Sequence, residues 1–212
     1  MSTTKAAGDD FTISIYPTTV TVGDIRSLLS RLKQNENSAK QPIINFIHHR
    51  LYNRYIQPLL HIPREFKSGF LIIASSCLLI ETLQSFYEGL DNTKGMSNES
   101  FKAFFEREKK FFPGFAKCFP KSFTKEKNNN FYTNIRCGIL HQAETTGGYS
   151  ILRDKSPLFD ADEKTINANK FVKALELSLD NYIVILGSSP ISTAIWQNAI
   201  KKISFICNNC QS

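Results

Sequence analysis

Hydrophobic positions recur at helical spacing along most of the chain. In "PIINFIHHRLYNRYI" the apolar residues lie three or four positions apart: Ile43, Phe46, Ile47, Leu51 and Tyr55. This spacing places them on one face of a helix. Pro42 suits the first turn, where the amide that proline lacks would have no partner. The pattern predicts a helix that begins near Pro42 and ends near Pro58.

Two longer segments predict the central helices. Phe66 to Leu90 is apolar on almost every side, which is typical of a buried helix. Its strongest run, "FLIIASSCLLI", is too short to span a bilayer, so no membrane association is expected. Glu163 to Leu186 carries one apolar stripe after the acidic "DADEKT", and acids favour the first turn of a helix.

The remaining segments complete an all-α prediction. Ser97 is expected to cap the helix "NESFKAFFEREKKFF", and a last helix is expected after Pro190. The stretches "FTISIYPTTVTV" and "YSILR" favour short β elements. We predict a helical bundle with an N-terminal extension. Residues 1–60 form an arm with helices and residues 61–212 form the bundle, both expected to pack as one compact domain.

The cysteines favour a reducing cytoplasm. There are five, an odd number, and three lie in apolar runs. The N-terminus, "MSTTKAAGDD", shows no secretory signal. Cys207 and Cys210 have the spacing of zinc ligands, but no second Cys or His pair lies near them. A tail with two thiols is therefore favoured over a zinc site, and no cofactor is expected.

Basic charge is concentrated in one region. The chain has a net charge of +7, and residues 101–127 hold eight Lys or Arg, three Glu and eight Phe. Such a surface could attract phosphates and stack bases. The candidate nucleic-acid contacts are Lys109, Lys110, Lys121 and Lys125. The alternative is a solvated amphipathic helix whose Phe face belongs to the core.

One segment, "FYTNIRCGILHQAETTGGYSI", differs from the regular apolar pattern of the other predicted helices. Arg136 and His141 interrupt an apolar run that stops at two glycines. An imidazole can exchange a proton with a ribose 2′-OH or with the leaving oxygen. A guanidinium can hold two phosphate oxygens and stabilise transition-state charge. Together they could cleave RNA without a metal.

The spacing of this pair constrains its geometry. Five residues of an ideal helix turn about 500°, which leaves the two side chains about 140° apart. Either the helix loosens at Gly138 or near His141, or a symmetric dimer gathers both pairs in one cleft. A second match, Arg54 to His61, contains Pro58 and is interpreted as a chance occurrence.

The segment "NIRCGILHQAE", between "FY" and "TTGGY", resembles the signature of the HEPN superfamily. These helical proteins are common in bacterial toxin–antitoxin, abortive-infection and CRISPR systems, and their signature is Arg, four to six residues, then His. The resemblance covers residues 65–187. It implies that Arg136 binds phosphate and that His141 is the acid–base residue. The family often places Asn, Asp or His after the Arg, where this chain has Cys137.

Three further residues are candidates for the site. Glu81 lies in the apolar long helix, where a buried carboxylate would need a partner such as Arg136; a solvent-edge position is the alternative. Tyr132 and Asn134 could position RNA or be structural. At the pair itself, the structural alternative makes Arg136 a buried ion-pair partner and His141 a helix C-terminal cation.

The leading hypothesis is a metal-independent endoribonuclease of bacterial antiviral defence or a toxin–antitoxin system, acting as a cytoplasmic homodimer. RNA and a cognate antitoxin or other defence-system component are the expected partners. The alternative is a non-catalytic HEPN-like module that binds nucleic acid or protein. A third hypothesis is a helical scaffold whose Phe-rich basic helix docks a partner.

Overall fold

The structure, a computed structural model, describes residues 8–14, 18–63, 65–118 and 131–210. It is mostly helical, with 65% helix and 7% strand, which confirms the mainly α prediction. The α-helices are α1 (Val22–Lys33), α2 (Lys40–Leu51), α3 (Gln57–Leu60), α4 (Gly69–Glu88), α5 (Ser97–Arg107), α6 (Gly138–Gln142), α7 (Ala168–Ser188) and α8 (Ala194–Asn209). Two π-helical segments, Tyr52–Ile56 and Tyr132–Cys137, lead into α3 and α6.

Five short strands form two small sheets. Strands β1 (Thr12–Ser14) and β2 (Val20–Thr21) pair antiparallel within the predicted N-terminal β segment. The second sheet has the order β3-β5-β4. Here β3 (Ser150–Leu152) runs parallel to β5 (Thr165–Asn167), and β4 (Phe159–Asp160) runs antiparallel to it.

The predicted start of α7 at Glu163 is wrong, because the acidic segment forms a turn between β4 and β5. The Asp160 carboxylate accepts hydrogen bonds from the amides of Asp162 and Glu163, both at 3.0 Å. The helix begins five residues later at Ala168, where Asn167 Oδ1 accepts from the amide of Lys170 at 3.0 Å. Asn is a favoured residue at this capping position.

The second helix was predicted to end near Pro58, and the observed helical stretch ends two residues later, at Leu60. After α2 the chain makes the π-helical segment and then α3, so helix continues to Leu60. Pro58 lies in the first turn of α3, directly after the π-helical segment.

Contacts between residues divide the chain into two units. Unit 1 comprises Met1–Asn53, Ser85–Asn92 and Asp180–Ser212, and unit 2 comprises Arg54–Gln84 and Thr93–Leu179. In unit 1 the fully buried Trp196 donates from Nε1 to the carbonyls of Leu186 and Ser189, at 2.9 and 3.1 Å. The division at residues 60 and 61 stays a prediction.

The core of unit 2 is built from phenylalanines. Seven are fully or almost fully buried: Phe101, Phe104, Phe105, Phe112, Phe115, Phe131 and Phe171. The rings of Phe131 and Phe171 stack with centroids 5.6 Å apart and planes 6° apart. The Phe face of residues 101–115 is therefore core, as the alternative interpretation of this region predicted. These buried rings cannot stack on bases, whereas Phe111 is only half-buried.

Within the described residues, α4 is the one helix long and apolar enough to cross a membrane. Sixty-one per cent of its most apolar window is buried. Such burial is typical of a core helix, so length and composition alone are weak support for a membrane span.

Candidate functional site

The helix that carries Arg136 and His141 is irregular. It passes through the π-helical segment Tyr132–Cys137 and then α6, and it ends at Ala143, whose φ of 55° is left-handed. The helix therefore loosens ahead of Gly138, over the turn that holds Arg136. Single π turns inside helices occur frequently at functional sites.

Two glycines allow the chain to fold back over this helix. A Cβ at Gly138 would lie 2.5 Å from the carbonyl oxygen of Glu144, so only glycine permits the returning chain to pass so close. Gly147 has a φ of +65°, and a Cβ there would lie 2.8 Å from the side chain of Asn134. These contacts explain why the apolar run stops at glycines.

Asn134 holds the returning turn. Its carbonyl oxygen accepts from the amide of Thr146 at 2.9 Å, and its Oδ1 accepts from the Thr146 hydroxyl at 2.9 Å. Asn134 is buried. These bonds give it a structural role, and its predicted part in positioning RNA stays a prediction.

Arg136 is paired with Glu81. Its Nε lies 3.0 Å from Glu81 Oε1, and the two side chains are only 19% and 14% exposed. The other carboxylate oxygen of Glu81 accepts from the hydroxyls of Thr93 at 2.7 Å and Ser97 at 3.3 Å. Glu81 is thus the carboxylate partner that the sequence suggested, rather than a residue at the solvent edge.

The surroundings of Arg136 favour its charged form. Burial alone would lower the pKa of Arg136, but the neighbouring Glu81 carboxylate outweighs it, so the pKa is raised. The guanidinium carbon lies 5.5 Å from the centroid of the Tyr132 ring, within the range of a cation–π contact. Burial, followed by a hydrogen bond with Cys137, raises the pKa of Tyr132.

His141 lies apart from this cluster. It is exposed in the last turn of α6, and it makes no hydrogen bond, ion pair or ring contact with the residues that the structure describes. The chain therefore brings Tyr132, Arg136 and Glu81 together, and leaves His141 on the surface, next to the last residue of α6. A cation is favourable at that end, as the structural alternative requires.

The sequence did not indicate the hydroxyls that hold Glu81. Ser97 was expected to cap α5, but Met96 occupies the cap and Ser97 is the first helical residue. Its hydroxyl bonds the carbonyl of Thr93 and Glu81 instead. Thr93 lies in the predicted connector "DNTKG", where no periodicity distinguishes a functional hydroxyl from a solvated one.

Two of the four candidate lysines lie in the described part of the chain. Lys109 and Lys110 are exposed just beyond α5. Lys110 Nζ lies 5.5 Å from the centroid of the Phe111 ring. Lys121 and Lys125 lie outside the described residues, so the proposed phosphate-binding surface remains a prediction.

Among the described residues, no group of three or more His, Cys, Asp or Glu is arranged to hold a metal ion. No protein-family model, curated protein or solved structure matches the chain. The HEPN resemblance therefore depends on the Arg136–His141 segment and stays a hypothesis.

Proposed function

We propose that this protein is a HEPN-like, metal-independent endoribonuclease of a bacterial defence or toxin–antitoxin system, acting on RNA in the cytoplasm. The orientation of Arg136 carries the proposal. Of the three guanidinium nitrogens of Arg136, Nε donates to Glu81, and the two terminal nitrogens make no hydrogen bond to the described residues. Those nitrogens are the pair that forms a fork around two phosphate oxygens.

The proposed chemistry assigns one task to each side chain. The His141 imidazole takes the proton of a ribose 2′-OH, and the freed oxygen attacks the adjacent phosphorus. Arg136 stabilises the charge that develops on the phosphate oxygens. The 5′ oxygen leaves with a proton from an imidazole, and the product keeps a 2′,3′-cyclic phosphate.

The proposal includes a homodimer. Within the described part of a single chain, Arg136 is paired with Glu81, and no hydrogen bond or ion pair joins Arg136 to the exposed His141. A two-fold axis beside the helix would bring a second copy of each residue to the same cleft. Each phosphate could then meet Arg136 from one chain and His141 from the other.

The direct test is incubation of RNA with the wild type and with His141→Ala and Arg136→Ala, in EDTA. We expect cleavage by the wild type, cyclic phosphate ends, and loss of most cleavage in both variants. His61→Ala is the matched control, because His61 is an exposed His of the second Arg/His match. Cleavage by folded His141→Ala at the wild-type rate would refute this site.

The runner-up function is a non-catalytic HEPN-like module that binds nucleic acid or a protein. Two observations favour it: Arg136 has a nearly buried carboxylate partner, and His141 occupies the position of a helix C-terminal cation. Binding of intact RNA without cleavage, unchanged by His141→Ala, would support this module over the nuclease.

A further inference from the structure

The last turn of α8 brings two thiols together. Cys207 and Cys210 are three residues apart, and the Cys210 amide donates to the Cys207 carbonyl at 3.3 Å. In helical geometry a separation of three residues places Cα atoms about 5 Å apart on neighbouring sides of the helix. Disulfides span roughly 4.4–6.8 Å between Cα atoms, so the spacing expected for this pair lies within the range of a disulfide.

The two thiols have different environments. Cys207 is buried, and Cys210 is partly exposed. Burial raises the pKa of Cys207 to about 11, although the nearby Arg26 opposes the shift. A thiol that stays protonated is a poor first nucleophile. The more accessible Cys210 is therefore the sulfur that meets a reagent first.

A small cavity borders the residue that carries the buried thiol. It has a volume of about 190 Å³, and its lining includes Cys207, Ser204, Arg26 and Lys33. A cavity of this size admits a small reagent. Zinc is not favoured, because the described residues contain no group of three or more metal-binding side chains.

We propose that Cys207 and Cys210 form a redox-active pair that hydroperoxides convert to a disulfide. The Cys210 thiolate attacks the peroxide oxygen, the O–O bond breaks, and a sulfenic acid and an alcohol or water form. Cys207 then attacks the Cys210 sulfur and releases the sulfenic oxygen as water. The two thiols lose two electrons and two protons in total, and the peroxide is reduced by two electrons.

The pair fits the reducing compartment expected from the composition. Disulfides in such a compartment are mostly transient, and cysteines that sense oxidants often have a second cysteine nearby to resolve the sulfenic acid. The proposal is independent of the proposed nuclease function, because it uses no residue of the Arg136 cluster.

The test uses the full chain and hydrogen peroxide. Trypsin cleaves after Lys202, so the fragment that begins at Ile203 contains both thiols. We expect this fragment to become lighter by two hydrogen atoms, to stop reacting with iodoacetamide, and to recover both thiols in dithiothreitol. Retention of both thiols while Cys137 is oxidised would overturn the proposal. Cross-linking of the fragment to another cysteine would also overturn it.

Single-cysteine variants distinguish the thiol that attacks the peroxide, Cys210, from the thiol that resolves the sulfenic acid, Cys207. In Cys207→Ala, Cys210 should stop at a sulfenic acid that dimedone traps; in Cys210→Ala, Cys207 should stay reduced. Cys137→Ser is the control and should leave oxidation of the fragment unchanged. If Cys207→Ala does not fold, the wild-type mass change still decides the matter. Oxidation of Cys207 in folded Cys210→Ala as fast as in the wild type would contradict the assigned roles.

Discussion

At the scale of single residues, the Arg136–Glu81 pair is compatible with two roles, one in stability and one in phosphate binding. A largely buried carboxylate that accepts from Arg136, Thr93 and Ser97 links α4 to the segment that carries Arg136, and removing either charge would leave the other without its partner. The same bonds fix the orientation of a guanidinium whose terminal nitrogens could bind phosphate. Stability and activity measurements on the same variants distinguish the two contributions.

Glu81→Ala should lower the free energy of unfolding by about 3 kcal/mol, because it leaves the largely buried Arg136 charge without its carboxylate. Glu81→Gln should cost less, since its one amide oxygen can still accept from Arg136, while its amide nitrogen takes the place of the oxygen that accepts from Thr93. Urea denaturation measures both effects. The control is Glu106→Ala on exposed α5 surface, for which a change within about 0.5 kcal/mol is expected. If Glu81→Ala and Glu106→Ala proved equally stable, the Arg136–Glu81 ion pair would make no measurable contribution to the free energy of unfolding.

At the scale of elements, apolar periodicity predicted that α4 and α7 exist, but it placed the start of α7 five residues early. The acidic residues of "DADEKT" are compatible with the first turn of a helix and with a β-turn. In the structure Asp160 accepts hydrogen bonds from the amides of Asp162 and Glu163, and this stabilises the β-turn. The pairing of β5 with β3 and β4 depends on contacts that local sequence does not contain. For the same reason the sequence identified Arg136 and Glu81 but neither the π-helical turn nor the Thr93 and Ser97 hydroxyls.

Gly138 and Gly187 offer a matched test of tertiary packing against helix propensity. Both are helical, and Ala is favoured over Gly by about 1 kcal/mol in a helix interior. Gly187→Ala should stabilise the protein, because within 4 Å its Cβ would meet no described atom beyond its chain neighbours and its own helix backbone. Gly138→Ala should destabilise it, because its Cβ would lie 2.5 Å from the backbone oxygen of Glu144. Denaturation midpoints of the two variants, compared with that of the wild type, show whether each substitution raises or lowers stability. A stabilising effect at Gly138 would mean that the turn at residues 143–148 shifts at little cost.

At the scale of the whole molecule, net charge and assembly determine how RNA would be bound. The chain carries +7, yet the buried Phe core of residues 101–115 limits the aromatic groups that could stack on bases. Phosphate contacts are therefore the main expected source of affinity. Because such contacts release counterions, affinity should fall steeply as salt increases.

Replacing Lys109, Lys110, Lys121 and Lys125 together by Ala should weaken RNA binding for all sequences. For single-stranded RNA, loss of four phosphate contacts should make the slope of log K against log salt shallower by about 3. Fluorescence anisotropy over a salt series measures this slope. The control replaces four exposed lysines elsewhere: Lys33, Lys67, Lys173 and Lys201. An equal change in the control would assign the effect to net charge rather than to this surface.

The proposed homodimer makes a prediction that no single chain can satisfy. If each phosphate needs Arg136 from one chain and His141 from the other, a mixed dimer of Arg136→Ala and His141→Ala keeps one intact pair of this kind in the shared cleft. Mixing the two inactive variants under conditions that allow chains to exchange should then restore part of the RNA cleavage, and sedimentation should give the mass of two chains. The double variant Arg136→Ala/His141→Ala, mixed with wild type, is the control: its mixed dimers contain no intact pair, so cleavage should come only from the remaining wild-type dimers. Absence of restored cleavage, with exchange verified by differently tagged chains, would exclude a cleft that needs one residue of each type. Cleavage by a chain that sediments as a monomer would exclude the dimer.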